Sequence, residues 1–142
     1  MLNVKRKLKA LASVVAMAKE MELLNAIRLK LQEKNVKTFR LNVGKVRMAD
    51  GRYFDTGLQK GVSDLLAIRP DGIACWIETK IKPNKPSVEQ CNFILAMIEQ
   101  GCPAGLAFTV EDALDIVFWD SECCEYQKAL MNLYLRKGAK TK

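Results

Sequence analysis

The chain has 142 residues, 49% hydrophobic and 27% charged, a balance that fits a soluble globular protein of one domain with enough length for a real core. It contains no histidine, which excludes Ser-His-Asp and Cys-His catalysis, histidine-zinc hydrolysis and histidine-metal nucleases. The net charge of +7 is concentrated at one end, because residues 1–40 hold ten Lys or Arg against three Glu while the rest balances thirteen against thirteen; a polyanion such as nucleic acid is therefore the leading partner.

The first segment, "MLNVKRKLKALASVVAMAKE", opens basic and then turns mildly apolar, as a signal peptide would. Ser13 and Lys19 break the apolar stretch, and it runs on into a helical pattern, so a leader is not expected. No apolar run approaches the roughly 18 to 20 residues that span a bilayer. Across residues 4–34, Leu8, Leu11, Val15 and Ala18, then Leu23, Leu24, Ile27 and Leu31, recur at helical steps. A break near residues 16–20 would divide a basic N-terminal helix or extension (1–17, with Lys5, Arg6, Lys7 and Lys9) from the core (18–118).

"VKTFRLNV", residues 36–43, alternates like a strand. Residues 44–61 carry four glycines and mixed charge and read mostly as loop, with a short hairpin turning at Asp50-Gly51 as the alternative. In this segment Lys45, Arg47, Arg52 and Lys60 are candidates for holding phosphates, a solvated loop being the competing reading. Gly57 and Gly61 would let the backbone before Asp64 approach a metal or DNA closely.

"GVSDLLAIRPDGIACWIETK", residues 61–80, is a hairpin with charged ends. In Arg69-Pro70-Asp71-Gly72, proline suits the second position of a type I turn, aspartate the third, and glycine the left-handed residue that follows. A three-residue loop at 70–72 pairs Arg69 with Ile73 and sets Asp64 opposite Glu78. Paired residues share a sheet face with β-carbons about 5 Å apart. Lys80 then projects from the same face. A two-residue loop would put the carboxylates on opposite faces.

"KPNKP" reads as a turn. A helix follows, with Ser87 and Gln90 as a capping box, Val88, Cys91, Ile94, Leu95 and Ile98 on one face, and Gly101 as its stop. "AGLAFTV" is a strand, and the remainder is one or two helices, or a strand and a helix, ending in a basic tail expected to fray. The order α-β-β-β-α-β-α describes a mixed α/β protein. The five cysteines, odd in number and without a C-x-x-C, read as reduced thiols that pack as small hydrophobes.

Asp64 followed by Glu78-Thr79-Lys80 resembles the PD-(D/E)XK nuclease core, and in detail the VRR-NUC family. The resemblance covers about residues 18–118 and rests on "KEMELLNAIRLKL", "FRLNVGK", "GRYFDTGLQKGVSDLLAI", "WIETK" and "SVEQCNFI". Ser63 stands where the superfamily label has proline, and no V-R-R tripeptide is present. The resemblance implies a restriction-endonuclease-like fold, a mixed central sheet flanked by helices. It implies Mg²⁺ or Mn²⁺ held by Asp64, Glu78 and the Thr79 backbone carbonyl, with Glu20 as a further candidate. Lys80 would orient or activate the attacking water, or stabilise charge on the phosphate. Glu20, in preference to Glu22, matches the family's helix glutamate, and Gln90 its helix glutamine, as a catalytic residue, a helix cap or both. Small stand-alone members are typical of phage and bacterial genomes, which implies a cytoplasmic DNA endonuclease acting on branched DNA. A homodimer is expected, its interface supplied by residues 113–135 unless that stretch is buried in the monomer.

Overall fold

The computed structural model describes residues 3–140. The first helix, α1 (Val4–Glu33), starts where the Asn3 side chain accepts a hydrogen bond from the Lys5 N–H, and it is followed by Asn35 at φ 63°. It runs without the break foreseen near residues 16–20, since no glycine or proline interrupts it. Its inner half buries Leu24, Ile27 and Leu31. Its outer half leaves Val4, Leu8, Leu11 and Val15 between 46% and 67% exposed, so the stripe that predicted the helix faces solvent there.

Four strands form the central sheet, in the order β1 (Lys37–Arg40), β4 (Leu65–Ile68), β5 (Ala74–Thr79), β6 (Ala104–Ala107). β1–β4 and β4–β5 are antiparallel, and β5–β6 is parallel. A parallel neighbour needs a crossover, and α2 (Val88–Glu99) supplies it. β2 (Lys45–Arg47) and β3 (Tyr53–Asp55) make a separate two-stranded ribbon between β1 and β4. The segment expected to be mostly loop is thus a hairpin, with Gly51 at φ 86° in its turn.

The β4–β5 register is the one the turn chemistry predicts. Leu65 pairs with Ile77 and Ile68 with Ala74, and Gly72 sits at φ 87° after the turn. Alternation then sorts the side chains into two layers. Leu65, Ala67, Cys75 and Ile77 pack with α1 and with α3 (Val110–Val117), which contributes Ala113, Ile116 and Val117. Trp76 and Leu106 pack on the other face with Cys91, Ile94 and Ile98 of α2 and Met131 of α4 (Ser121–Lys140). Val88 does not join its helix's buried face and is half exposed. All five cysteines are free.

The chain after β6 is two helices, and α4 continues through part of the tail expected to fray. Gln127 on α4 is buried. Its Oε1 accepts from the Leu106 N–H at 2.9 Å and its Nε2 donates to the Leu106 carbonyl at 3.3 Å. It thereby closes the open edge of β6. No helix among the described residues is long and apolar enough to cross a membrane.

Candidate active site

The site forms where the β4–β5 hairpin opens. Asp64 directly precedes β4, Glu78 and Thr79 end β5, and Lys80 follows. The Asp64 N–H donates to Glu78 Oε2 at 3.2 Å. The Thr79 N–H and Oγ1 both donate to Asp64 Oδ2, at 3.2 and 3.0 Å. Lys80 Nζ lies 3.7 Å from Glu78 Oε1. The same oxygen, Glu78 Oε1, accepts from Gln90 Nε2 at 2.7 Å. Gln90 also caps its helix, since its Oε1 accepts from the Ser87 N–H at 2.8 Å and its own N–H donates to Ser87 Oγ at 3.1 Å. One side chain therefore serves as cap and as carboxylate partner.

Glu78 is 1% exposed. Burial, then the negative charge of Asp64, pushes its carboxyl up to about 9 against the pull of Lys80. Glu20, on α1, is also raised by burial and by Asp64, with Lys80 opposing. Glu20 faces the cleft, whereas Glu22 is exposed and outside its lining.

The cleft has a volume of about 670 Å³. Asp64, Thr79, Lys80, Glu20 and Gln90 all line it, with Arg40, Lys60 and Lys85 as cationic walls. Lys60 lies 3.6 Å from Glu89, while Arg40 and Lys85 form no ion pair among the described residues. No local pattern in the sequence marks Arg40 or Lys85; both reach the cleft from segments distant in sequence, β1 and the turn before α2. Of the other basic candidates, Lys5, Arg6, Lys7 and Lys9 lie on the outer half of α1. Lys45 and Arg47 lie on the ribbon, and Arg52 is ion-paired with Asp50 at its turn. The structure brings none of these seven into the cleft.

Gly61 differs from its expected role. It sits at φ 103°, and a β-carbon there would stand 2.5 Å from the Glu89 carbonyl oxygen, so its close approach is to α2. Gly57, at φ 80°, has nothing close to it. The Ser63 hydroxyl, beside Asp64, is the one buried side-chain polar atom without a hydrogen bond among the described residues.

Among the described residues no three Cys, Asp or Glu side chains converge closely enough to hold a metal together, so Glu20 does not complete a carboxylate triad with Asp64 and Glu78. The donors that remain still fit a hard cation. Magnesium is commonly held by one or two carboxylates, with water and substrate phosphate filling the other positions. Asp64, Glu78 and the Thr79 carbonyl are such a set: Asp64 Oδ2 already accepts twice from Thr79, so Asp64 would offer Oδ1, and Glu78 Oε2, which accepts once from the Asp64 N–H, keeps a second lone pair.

No family model matches the chain, and no curated protein matches it in sequence. Its fold does match a solved structure described as a VRR_NUC domain, with a TM-score of 0.52 at 17% identity, over 71% of this chain and 98% of the other. The mixed four-stranded sheet with helices on both faces is the restriction-endonuclease-like fold of a VRR_NUC domain.

Proposed function

We propose that the chain is a metal-dependent deoxyribonuclease that hydrolyses phosphodiester bonds, with branched DNA as its preferred substrate. The observation that carries this reading is the convergence of Asp64, Glu78 and Lys80 at one sheet end, with Asp64 and Lys80 lining a cleft walled by Arg40, Lys60 and Lys85 and Glu78 buried behind them. Asp64, Glu78 and the Thr79 carbonyl would hold Mg²⁺ or Mn²⁺. The ion supplies an activated water and neutralises phosphate charge, which suits a chain without histidine.

The protein's own residues have separable tasks. Thr79 fixes the Asp64 carboxylate through two hydrogen bonds. Gln90 fixes Glu78, and because Gln90 is itself locked by the capping box, α2 sets the carboxylate's position. Lys80 stands beside Glu78 with a partly accessible amine, placed to orient the attacking water or to stabilise charge on the phosphate. Arg40 and Lys85, free of ion pairs among the described residues, are the groups to bind neighbouring phosphates.

A homodimer would let a compact domain engage two strands of a branch. The C-terminal stretch is a poor source for its interface, because α4 spends Met131 and Gln127 on the monomer's own layers. The exposed apolar stripe of α1 is the better one. The reading places the protein in the cytoplasm of a bacterium or phage-infected cell.

The test is incubation with four-way junction, flap, single-stranded and blunt duplex DNA in Mg²⁺, Mn²⁺ or EDTA. Cleavage of the branched substrates in either metal and none in EDTA is the expected result. Salt-sensitive binding without cleavage in either metal would instead indicate a silent nucleic-acid-binding module.

A further inference from the structure

The β2–β3 ribbon carries a face that the cleft does not explain. Its register pairs Lys45 with Asp55 and Arg47 with Tyr53. Paired residues and residues two apart share a face, so Lys45, Arg47, Tyr53 and Asp55 lie together on one side of the ribbon, and Phe54 lies on the other. Tyr53 is 65% exposed and Phe54, on the other side, 58%, so both faces of the ribbon are open and the cations distinguish the Tyr53 side.

The charges on this face are unequal in their freedom. Asp55, directly opposite Lys45, keeps its negative charge and accepts at Oδ1 from the Gly57 N–H at 2.8 Å. At the turn, Asp50 is held by Arg52 at 2.7 Å. Lys45 and Arg47 make no ion pair among the described residues. What faces outward is an aromatic ring with Arg47 directly across from it and Lys45 diagonally across, the latter opposite the Asp55 carboxylate.

The ribbon also has a definite relation to the cleft. Asn42 and Val43, which line the cleft, lead directly into β2, and Lys60 and Gly61, which also line it, follow β3. The ribbon closes at its base where the Thr56 N–H donates to the Gly44 carbonyl at 2.9 Å. It belongs to no other sheet. From Val43 to Arg47 an extended chain spans about 13 Å, or about four steps of duplex rise.

We propose that the Lys45–Arg47–Tyr53 face is a stacking platform for an unpaired base, placed a few nucleotides from the scissile phosphate. Tyr53 takes the base, and Lys45 and Arg47 take the phosphates beside it. A ring can stack only on a base that has a bare face, so the platform selects DNA with single-stranded character near the cut: a flap, a gap, a tail or a junction arm. The alternation of cations with the ring on one side favours a nucleic-acid strand over a protein surface, whose docking patch would be depleted of lysine at its centre. The inference rests on the nuclease reading above and supplies its selectivity.

The test uses Asp64→Asn protein, so that substrate is not consumed, and measures fluorescence anisotropy with a blunt duplex and with the same duplex carrying a single-stranded tail. Tyr53→Ala should weaken binding of the tailed DNA about tenfold and of the blunt duplex less than about threefold. Tyr53→Phe should retain the parent preference, and Phe54→Ala, on the opposite face, should leave it unchanged. Equal losses on both DNAs, or an effect of Phe54→Ala in place of Tyr53→Ala, overturn the platform. A change in sedimentation of DNA-free Tyr53→Ala, with no effect on DNA affinity, overturns it in favour of a protein contact. If active Tyr53→Ala enzyme cuts tailed and junction DNA with the parent's preference, the platform fails while the nuclease reading stands. If the parent neither binds nor cuts any DNA, both fail.

Discussion

Glu78 is the residue on which the site's electrostatics turn. Its carboxyl is raised from 4.5 to about 9, chiefly by burial and then by Asp64. A raised carboxyl stabilises the fold while it holds its proton. That contribution is complete below about 4.5 and is lost as pH rises through about 9. The metal-free protein should therefore lose thermal stability across that window, and Glu78→Gln, which cannot ionise, should melt at least about 2 °C higher than the parent at alkaline pH in EDTA. A parent whose melting temperature in EDTA is flat across the window would count against the burial argument. A cation bound at the same place must displace that proton, so apparent Mn²⁺ affinity should rise with pH. The pairing of Asp64 with Glu78 was legible in the sequence because a short-range device, the Pro70-Asp71-Gly72 turn, fixes the register. Arg40 and Lys85 were not legible as cleft residues, since their proximity depends on how β1 and the turn before α2 pack, which no local pattern encodes.

At the scale of elements, the β6 edge is held by a side chain that imitates a strand. Gln127 offers one acceptor and one donor to Leu106, and Gly105 leaves room for it: a β-carbon on Gly105 would lie 2.5 Å from the Gln127 side chain. Gln127→Leu strands a buried N–H and a buried carbonyl. It should lower unfolding free energy by about 2 to 3 kcal/mol in urea denaturation, whereas a loss under about 0.5 kcal/mol would show that water replaces the amide. Because Leu106 pairs with Glu78 across β5–β6, the same lesion should lower activity more than unfolding alone explains. No local pattern signals this contact, as a glutamine on a helix normally reads as solvated. The capping box at Ser87, by contrast, is local and visible in sequence, and it forms; a second box, Thr109 with Asp112, starts α3 within the stretch read as strand, which ends at Ala107. The ribbon was harder to read, because a three-residue strand carries too little alternation to separate from loop. The unbroken α1 went the other way: its weak middle suggested a break, yet residues without a helix-breaker simply continue the hydrogen-bond ladder.

For the whole molecule, charge and shape separate. The carboxylates, the cationic walls and the ribbon gather around one cleft, while Lys5, Arg6, Lys7 and Lys9 extend away from it on the free half of α1. A basic helix standing off the body suits non-specific contact with phosphates. Replacing those four residues with alanine should weaken binding to all DNA structures alike and reduce the slope of log affinity against log salt by up to about 3 to 4. An unchanged slope would show that the helix carries its charge for solubility or for a second copy of the chain. A sheet flanked by helices was implied by the family resemblance, and the continuous apolar runs of β4 and β5 agree with it, since strands buried on both faces require helices on each. Which side each helix takes was not encoded locally and came only from the packed sheet.

The central claim is that Asp64, Glu78 and Lys80 form one hydrolytic site, and single-turnover cleavage of a labelled four-way junction in Mg²⁺ or Mn²⁺ tests it most directly. Parent protein should cut, while Asp64→Asn and Lys80→Ala, each shown by circular dichroism to be folded, should cut at least about 100-fold more slowly. Variants that cut as fast as the parent would contradict the claim.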